Sequence, residues 1–252
     1  MNIVVAVKQV PELQQIRIKD RQPVLEGVPF TLGKIDKNAL EAGVQLKESN
    51  GGNLVVISAG NEEVEETIKE ALAAGADEAY LVLDDGLTNI ESSLSAQLLA
   101  ATVKKLDDVG LVIFGEGSGD NYSGQVGSRV AELLGLPQVG YASRIEVEGN
   151  LARITRSLED SDEILEVQLP AVISVLGDIN EPRIPSVTQI LKAGRKPKTI
   201  MDLDDLGIES SEARRIMTLS NLAPENQRKR ITIKTVPDLA AALRTEGGRG
   251  TK

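Results

Sequence analysis

The sequence predicts an α/β fold in which a parallel sheet is covered by helices on both faces. Continuous apolar runs occupy residues 3–7, within a strand predicted at 2–7, and residues 54–57, 79–83 and 111–114. Such runs are typical of strands that are buried on both sides. Between the runs, apolar residues recur at helical spacing. Strands that alternate with helices form a Rossmann-like parallel sheet, because each crossover helix packs back on the sheet. The order of the strands is not readable from the sequence.

The helices carry recognisable start signals. Asp36 is a suitable N-cap for a helix over residues 36–48, and Asn61 is one for the next helix. Residues 88–91, Thr-Asn-Ile-Glu, match a capping box that opens a third helix. A fourth helix is predicted from Ser123, so four strands alternate with four helices.

The pattern changes after Pro137. Residues 144–147, 151–155 and 164–167 are short alternating segments, which predict a small antiparallel excursion. Residues 171–176 then return to a continuous apolar run and predict one more buried strand.

The C-terminal part lacks a strong core period. Apart from a small helix over residues 237–243, the segment 200–252 has few apolar residues at regular spacing. We therefore expect an α/β domain at residues 1–199 and an extended C-terminal arm at residues 200–252 that gains its order by lying on another surface.

Composition excludes several kinds of chemistry. The chain has 252 residues, a net charge of −10, and no Cys, His or Trp. It therefore offers no thiol nucleophile, imidazole base or Cys/His metal site, and a cofactor must carry electrons in any redox reaction. The acidic charge argues against nucleic acid as a partner. No apolar run is long enough for a membrane span and no signal peptide pattern is present, so we expect a cytoplasmic chain without membrane insertion.

The fourth apolar run leads into a glycine-rich turn that could hold a phosphate. Gly115, Gly117 and Gly119 allow backbone N–H groups to approach a ligand at φ values that other residues avoid. The helix predicted from Ser123 would present its N-terminus to an anion. Asp120 could accept from a ribose hydroxyl or cap the helix. The spacing fits neither G-x-G-x-x-G nor a P-loop, and an ordinary strand-to-helix loop is the alternative interpretation.

Five motifs in order resemble the β subunit of electron transfer flavoproteins. They are Val-Ala-Val-Lys-Gln-Val-Pro at residues 5–11, Asp-Lys-Asn-Ala-Leu-Glu-Ala at 36–42, Ala-Ala-Gly-Ala-Asp at 73–77, the turn at 115–127, and Asn-Glu-Pro-Arg-Ile-Pro-Ser at 180–186. The form of the turn is most similar to the Fix-type branch of that family.

The resemblance implies a heterodimer with an α subunit that holds most of a redox FAD. The β subunit shields that flavin and binds an adenine nucleotide of its own, AMP or a second FAD. Leu13 and Ile35 stand where relatives place aromatic residues beside the α-subunit flavin. The residues that match the family's own nucleotide pocket are Ala6, Lys8, Ser58, Ala59, Gly60, Gly115, Asp120, Ser123, Gly124, Gln125, Val126 and Gly127.

The resemblance also implies a partner-recognition loop after the strand at 171–176. Expected partners are acyl-CoA dehydrogenases, or flavoproteins of the electron transfer flavoprotein:quinone oxidoreductase and Fix types. Leu176 or Ile179 is the predicted apolar anchor. The other loop residues assigned to recognition are Glu181, Pro182, Arg183 and Pro185.

Three functional interpretations remain open at this point. The first is a conventional electron carrier, in which no residue of this chain is catalytic and no metal is held. The second is a subunit of an electron-bifurcating enzyme whose own FAD accepts hydride from NADH. Residues 83–86 lack the Asp-Arg-Ala-Phe-Ala-Gly segment of well-studied bifurcating relatives, and Gly33-Lys34 replaces the family's Asn-Pro. The third is an adenylate-sensing regulatory module.

Overall fold

The computed structural model describes residues 1–88, 90–208, 219–220, 222–225 and 232–246. The chain divides into two compact units. The main unit holds residues 1–17 and the described part of 24–219, and the second unit holds residues 18–23 together with the described part of 220–252.

The strands and helices follow the predicted alternation closely. The strands are β1 (Asn2–Ala6), β2 (Gln9–Pro11), β3 (Arg17–Lys19), β4 (Gln22–Val24), β5 (Phe30–Leu32), β6 (Asn53–Gly60), β7 (Glu78–Leu83), β8 (Val109–Gly115), β9 (Gln138–Glu148), β10 (Leu151–Ser157), β11 (Asp162–Gln168), β12 (Ala171–Val175) and β13 (Lys198–Met201). The helices are α1 (Lys34–Asn50), α2 (Val64–Ala74), α3 (Ser92–Lys104), α4 (Val126–Leu134), α5 (Val187–Ala193) and α6 (Val236–Glu246). Over the ranges that the structure describes, none of these helices is both long enough and apolar enough to cross a membrane.

Nine strands of the main unit form one sheet in the order β11-β10-β9-β12-β8-β1-β6-β7-β13. The strands from β12 to β13 in this order pair in parallel, and β12 also pairs in parallel with β9. The β9, β10 and β11 strands pair antiparallel. The predicted parallel sheet and antiparallel excursion are therefore both confirmed.

The sequence of β1 is a nearly continuous apolar run because its alternate residues pack into core layers on opposite faces of the sheet. Ile3 and Val5 belong to the core layer that includes Leu40 of α1, and Val4 belongs to the layer that includes Leu99 of α3. Ile3, Val4 and Val5 are fully buried. Because helices cover both faces of the sheet, the buried positions from Ile3 to Ala6 are all occupied by apolar side chains.

Several helices begin elsewhere than their capping signals predict. The α1 helix begins at Lys34 after Gly33, because the Asp36 carboxylate accepts from the backbone N–H of Lys8 and does not cap the helix. The residue before α2 is Glu63 and not Asn61. The predicted starts of the other two helices are also wrong. The α3 helix begins at Ser92, after Glu91, and no side chain caps it. The α4 helix begins at Val126 and not at Ser123.

The main sheet continues beyond residue 199. The last strand, β13, pairs with β7 over residues 198–201. Met201 and Leu203 then pack in a cluster with Val82 and Leu98. The first residues of the predicted arm therefore belong to the main unit.

The second unit contains one helix, α6, and a contact between two chain segments around Arg21 and Ala223. The Arg21 guanidinium donates to the carbonyl oxygen of Ala223 and pairs with Glu225 at 2.9 Å. In α6, Val236, Leu239 and Leu243 form an exposed apolar stripe. Residues 209–218, 221, 226–231 and 247–252 of the predicted arm lie outside the described residues, and its attachment to another subunit stays a prediction.

Replacing Gly43 with Ala should destabilise the main unit. A Cβ atom at this position of α1 would lie 2.8 Å from both Leu54 Cδ1 and Val5 Cγ2, so the helix would have to move away from the sheet. Since alanine also raises helix propensity, we expect a net loss of about 1–2 kcal/mol in the free energy of unfolding, measured by urea denaturation. Gly194→Ala, where the added methyl group meets open space, is the control, and equal stability of the two variants would contradict the packing argument.

Candidate nucleotide-binding site

The strand order places a topological switch point, referred to below as the crevice, at the carboxyl edge of the sheet between β1 and β8. From β1 the chain proceeds to β6 and β7 on one side, and it then returns to β8 and β12 on the other. Ligands of open parallel sheets bind at such a switch point, because the connections there leave in opposite directions. Lys8 follows β1, Gly115 ends β8, and residues 116–120 follow it. The structure thus brings two separate groups of predicted site residues to one crevice.

An ion pair spans this crevice. Lys8 Nζ lies 2.6 Å from Asp120 Oδ2. Burial opposes ionisation of Asp120, but the hydrogen bond from Lys8, the nearby Ser118 hydroxyl and the charge of Lys8 outweigh it and hold the pKa of Asp120 below its ordinary value. The Asp120 carboxyl group is therefore ionised at neutral pH. The pair supplies one cation and one carboxylate acceptor at the crevice.

A buried carboxylate lies beneath the ion pair. Asp36 is only 7% exposed, and its Oδ2 accepts from the backbone N–H of Lys8 at 2.8 Å. Burial raises the pKa of Asp36 to about 7, although the Lys8 N–H and the Lys8 charge oppose this rise. The sequence suggested only a helix cap at this position, because nothing in the local pattern indicated its burial.

The glycines of the site serve close packing. A Cβ atom on Gly33 would lie 2.7 Å from Asp36 Oδ2, and one on Gly115 would lie 2.9 Å from Oδ1. A Cβ atom on Gly117 would lie 3.0 Å from the Tyr122 ring, and one on Gly119 would lie 3.0 Å from Leu13. The expectation of unusual φ values at 115, 117 and 119 is wrong, since the glycine of this turn with positive φ is Gly124, at 62°.

The remaining predicted site residues differ in their environments. The buried Ser58 hydroxyl donates to the Val7 carbonyl oxygen at 2.8 Å and so ties β6 to β1. Gln125 accepts from Arg129 through its side-chain oxygen. The other predicted site residues differ in solvent exposure. Ala6, Gly60 and Gly127 are buried, Ala59 and Val126 are half-buried, and Ser123 and Gly124 are exposed.

Two aliphatic side chains form an apolar rim around the crevice. Leu13 is 47% exposed and lies over Gly119, while the half-buried Ile35 lies between Gly115 and Gly177. These side chains can exclude water from a ring system but cannot stack on it through π-systems.

The predicted recognition loop is held on α1 by the Arg183 guanidinium and by a pair of asparagine side chains. Arg183 Nε donates to Glu41 at 2.7 Å and Arg183 Nη1 to Glu48 at 2.7 Å. The side chains of Asn38 and Asn180 each donate to the backbone carbonyl oxygen of the other. Burial opposes the charge of Glu41, but the hydrogen bonds from Arg183 prevail and lower the pKa of Glu41. The loop is therefore fixed relative to the helix that carries Asp36.

The exposed apolar side chains lie just beyond the predicted anchors. Leu176 and Ile179 are half-buried, and Ile179 packs against the main core. Ile184 is 94% exposed, and Val187 and Leu191 are both 74% exposed. Sequence reasoning missed this patch, although the spacing of its members on the short helix after Ser186 was a detectable signal. Of the remaining loop residues, Glu181 is exposed, and Pro182 and Pro185 are half-buried.

Comparisons with known proteins agree in the family they indicate. The family model described as "Electron transfer flavoprotein domain" matches residues 24–206. The electron transfer flavoprotein subunit beta of Thermoanaerobacterium thermosaccharolyticum is 38% identical over 215 residues, 84% of this chain and 82% of the relative. The caffeyl-CoA reductase-Etf complex subunit CarD of Acetobacterium woodii is 38% identical over 211 residues, 82% of this chain and 80% of the relative. The electron transfer flavoprotein subunit beta of Bacillus subtilis is 30% identical over 254 residues, 98% of each chain.

Replacing Asp36 with Asn should flatten the pH dependence of stability. Folding raises the pKa of Asp36 from 3.8 to about 7, so the folded chain binds a proton that the unfolded chain releases. The stability from this proton is fully present below about pH 4 and is lost as pH rises through 7. Wild type should lose about 2–4 kcal/mol of unfolding free energy across this window relative to Asp36→Asn.

The measurement is urea denaturation at several pH values. The exposed Asp162→Asn is the control and should keep the wild-type slope. An Asp36→Asn variant with the same slope as wild type would show that Asp36 does not titrate in this window.

Proposed function

Because the chain belongs to the electron transfer flavoprotein family, as a β subunit, we propose that it forms a heterodimer with an α subunit and binds an adenine nucleotide at its own sheet edge. In this role it also shields a FAD that the α subunit holds. The observation that carries the nucleotide proposal is the Lys8–Asp120 ion pair across the switch-point crevice. The exposed stripe of Val236, Leu239 and Leu243 on α6 is proposed to pack on the α subunit.

The residues at the crevice fit an adenine nucleotide. The turn that ends at Gln125 leads directly into α4, whose first backbone N–H groups and macrodipole suit a phosphate. The Lys8 ammonium, with a side chain 43% exposed, adds a positive charge on the other wall. The Asp120 carboxylate is an acceptor for ribose hydroxyls. The three groups together match the anionic and hydroxyl parts of a nucleotide.

The chain's contribution to electron transfer is the environment of the flavin. When bound, FAD supplies the redox chemistry that a chain without Cys and His cannot supply. Leu13 and Ile35 exclude water from the flavin edge. A low-dielectric rim of this kind strengthens the electrostatic effect of nearby charges on the flavin.

The alternative is a second FAD on this chain that accepts hydride from NADH and passes its two electrons singly to different acceptors. The 38% identity to the CarD subunit of a caffeyl-CoA reductase complex is the observation that favours a chain committed to such a complex. The two functions differ in the nucleotide held by this chain, so its identification separates them.

Nucleotide content of the purified heterodimer tests both functions. The chain is co-expressed with the α subunit, and FAD and AMP are quantified after denaturation. One FAD and one AMP per heterodimer support the carrier, and two FAD without AMP support the alternative. Asp120→Ala should remove most of the nucleotide on this chain and leave the α-subunit flavin, whereas the exposed Asp162→Ala should change neither.

Failure of the α subunit to co-purify would contradict the heterodimer. A wild-type heterodimer with one FAD and no other nucleotide would contradict a nucleotide site on this chain. Unchanged nucleotide content in Asp120→Ala would remove Asp120 from the site.

We further propose that Ile184, Val187 and Leu191 form the docking surface for a dehydrogenase of the acyl-CoA dehydrogenase type or for a flavoprotein of the quinone oxidoreductase or Fix type. Their exposure supports this role, since an apolar patch at and just before a short capped helix stays uncovered by the residues that the structure describes. Ile179 and Arg183 then act by shaping the loop that presents the patch.

Val187→Asp should slow electron transfer from the dehydrogenase. A charge in an apolar docking patch costs more than about 1 kcal/mol of association free energy, so the rate at sub-saturating partner should fall at least about fivefold. The measurement is stopped-flow reduction of the heterodimer's FAD by a reduced acyl-CoA dehydrogenase of the same organism. Reduction by dithionite should not change, and Ile164→Asp, at an exposed site on β11, is the control. Equal rates for Val187→Asp and wild type would exclude the patch from docking.

A further inference from the structure

Two of the chain's few aromatic residues lie beside the candidate site in unusual backbone conformations. The sequence contains three Tyr, two Phe and no Trp. Tyr122 and Tyr141 have φ values of 43° and 60°, in a region that residues with a side chain rarely adopt. Both remain more than half exposed, at 55% and 52%. Burial in a core therefore does not account for either ring.

The Tyr122 ring lies flat on the glycine turn. A Cβ atom on Gly117 would lie 3.0, 3.1 and 3.2 Å from three consecutive ring atoms of Tyr122. Distances this similar require an approach to the face of the ring, because an approach to its edge would leave the neighbouring atoms about an ångström farther away, given ordinary bond lengths. Gly117 thus supports one face of the ring. The exposed area of Tyr122 leaves the remainder of the ring accessible.

Tyr141 reaches the same place from the neighbouring strands. It lies at the irregularity of β9, where the register with β12 shifts before the Val175–Ala142 pair. Val175 in turn accepts from the backbone N–H of Glu116 at 2.9 Å. The row of Ala142, Val175 and Glu116 therefore brings Tyr141 to the carboxyl edge of the sheet, next to the glycine turn.

Glu116 completes this wall with a hydrogen-bond acceptor. Its carboxylate beside the Tyr122 hydroxyl raises the pKa of Tyr122, and burial and Tyr141 act in the same direction. The Tyr122 phenol is therefore neutral at physiological pH, as stacking on an uncharged ring requires. A carboxylate at the margin of an aromatic surface also matches the N–H groups at the edge of a purine or a flavin.

We propose that Tyr122, Tyr141 and Glu116 form the wall that binds the planar heteroaromatic ring of the nucleotide, with Tyr122 stacked on the ring. This inference rests on the nucleotide site proposed above and assigns the part of that site that Lys8 and Asp120 do not serve. The ring has two possible sources: the adenine, which AMP and FAD share, and the isoalloxazine, which only FAD carries. In either case Tyr122 is a binding residue whose loss weakens nucleotide affinity without removing the phosphate contacts.

Calorimetric titration of the nucleotide-depleted heterodimer with AMP and, separately, with FAD tests the wall. Tyr122→Leu should weaken binding by about 2- to 10-fold, the range that aromatic stacking contributes beyond buried area. Tyr122→Phe should stay within about twofold of wild type, because it keeps the ring. Equal losses for AMP and FAD identify the adenine, and a loss for FAD alone identifies the isoalloxazine.

Two further variants keep the proposal testable if Tyr122→Leu fails to fold. Gly117→Ala displaces the ring from its support, and Tyr141→Leu alters the second ring. Both should weaken the same ligand as Tyr122→Leu. Wild-type affinity for both ligands in all three variants would overturn the wall and leave the proposed function intact. A wild-type heterodimer that binds neither AMP nor FAD would overturn the nucleotide site, and the wall with it.

Discussion

The hydrogen bond from the Lys8 backbone to the buried Asp36 carboxylate organises the candidate site. It joins the end of β1 to the first turn of α1, where the carboxylate has almost no access to water. Gly33 and Gly115 leave room for its two oxygens, and the same bond sets the point from which the Lys8 side chain reaches Asp120. Burial of a carboxylate raises its pKa, so the free energy of unfolding depends on whether Asp36 is protonated. A structural contact and a titratable group are thus combined directly beneath the crevice.

The α1 helix connects the crevice to the proposed docking surface. Its first turn carries Asp36, and the following turns carry Asn38, Glu41 and Glu48, which hold the loop before α5. The Arg183 guanidinium donates two hydrogen bonds to each of two carboxylates, and the three N–H donors of a lysine cannot supply four such bonds. The position of the exposed apolar residues relative to the proposed nucleotide site is therefore set by one helix of 17 residues.

The turn after β8 owes its conformation to side-chain packing as much as to glycine. Gly115 is close to Asp36, Gly117 supports Tyr122, and Gly119 lies against Leu13. Each contact involves a residue that is distant in sequence or lies on the far side of the turn. A turn built in this way is shaped before a ligand arrives, which reduces the ordering cost of binding.

By itself the sequence determined the alternation of strands and helices, the antiparallel excursion and the glycine turn, because continuous burial and period-two patterning are local properties of the chain. It also determined the family, since ordered motifs at 5–11, 36–42 and 180–186 are visible without a structure. Helix starts at Asp36 and Ser123 were mispredicted because a tertiary hydrogen bond and a longer turn overrode local capping. Only the tertiary structure decided the strand order, the Lys8–Asp120 pair and the face of Tyr122 on Gly117. These depend on which distant segments become neighbours, and hydrophobic periodicity carries no information about that choice.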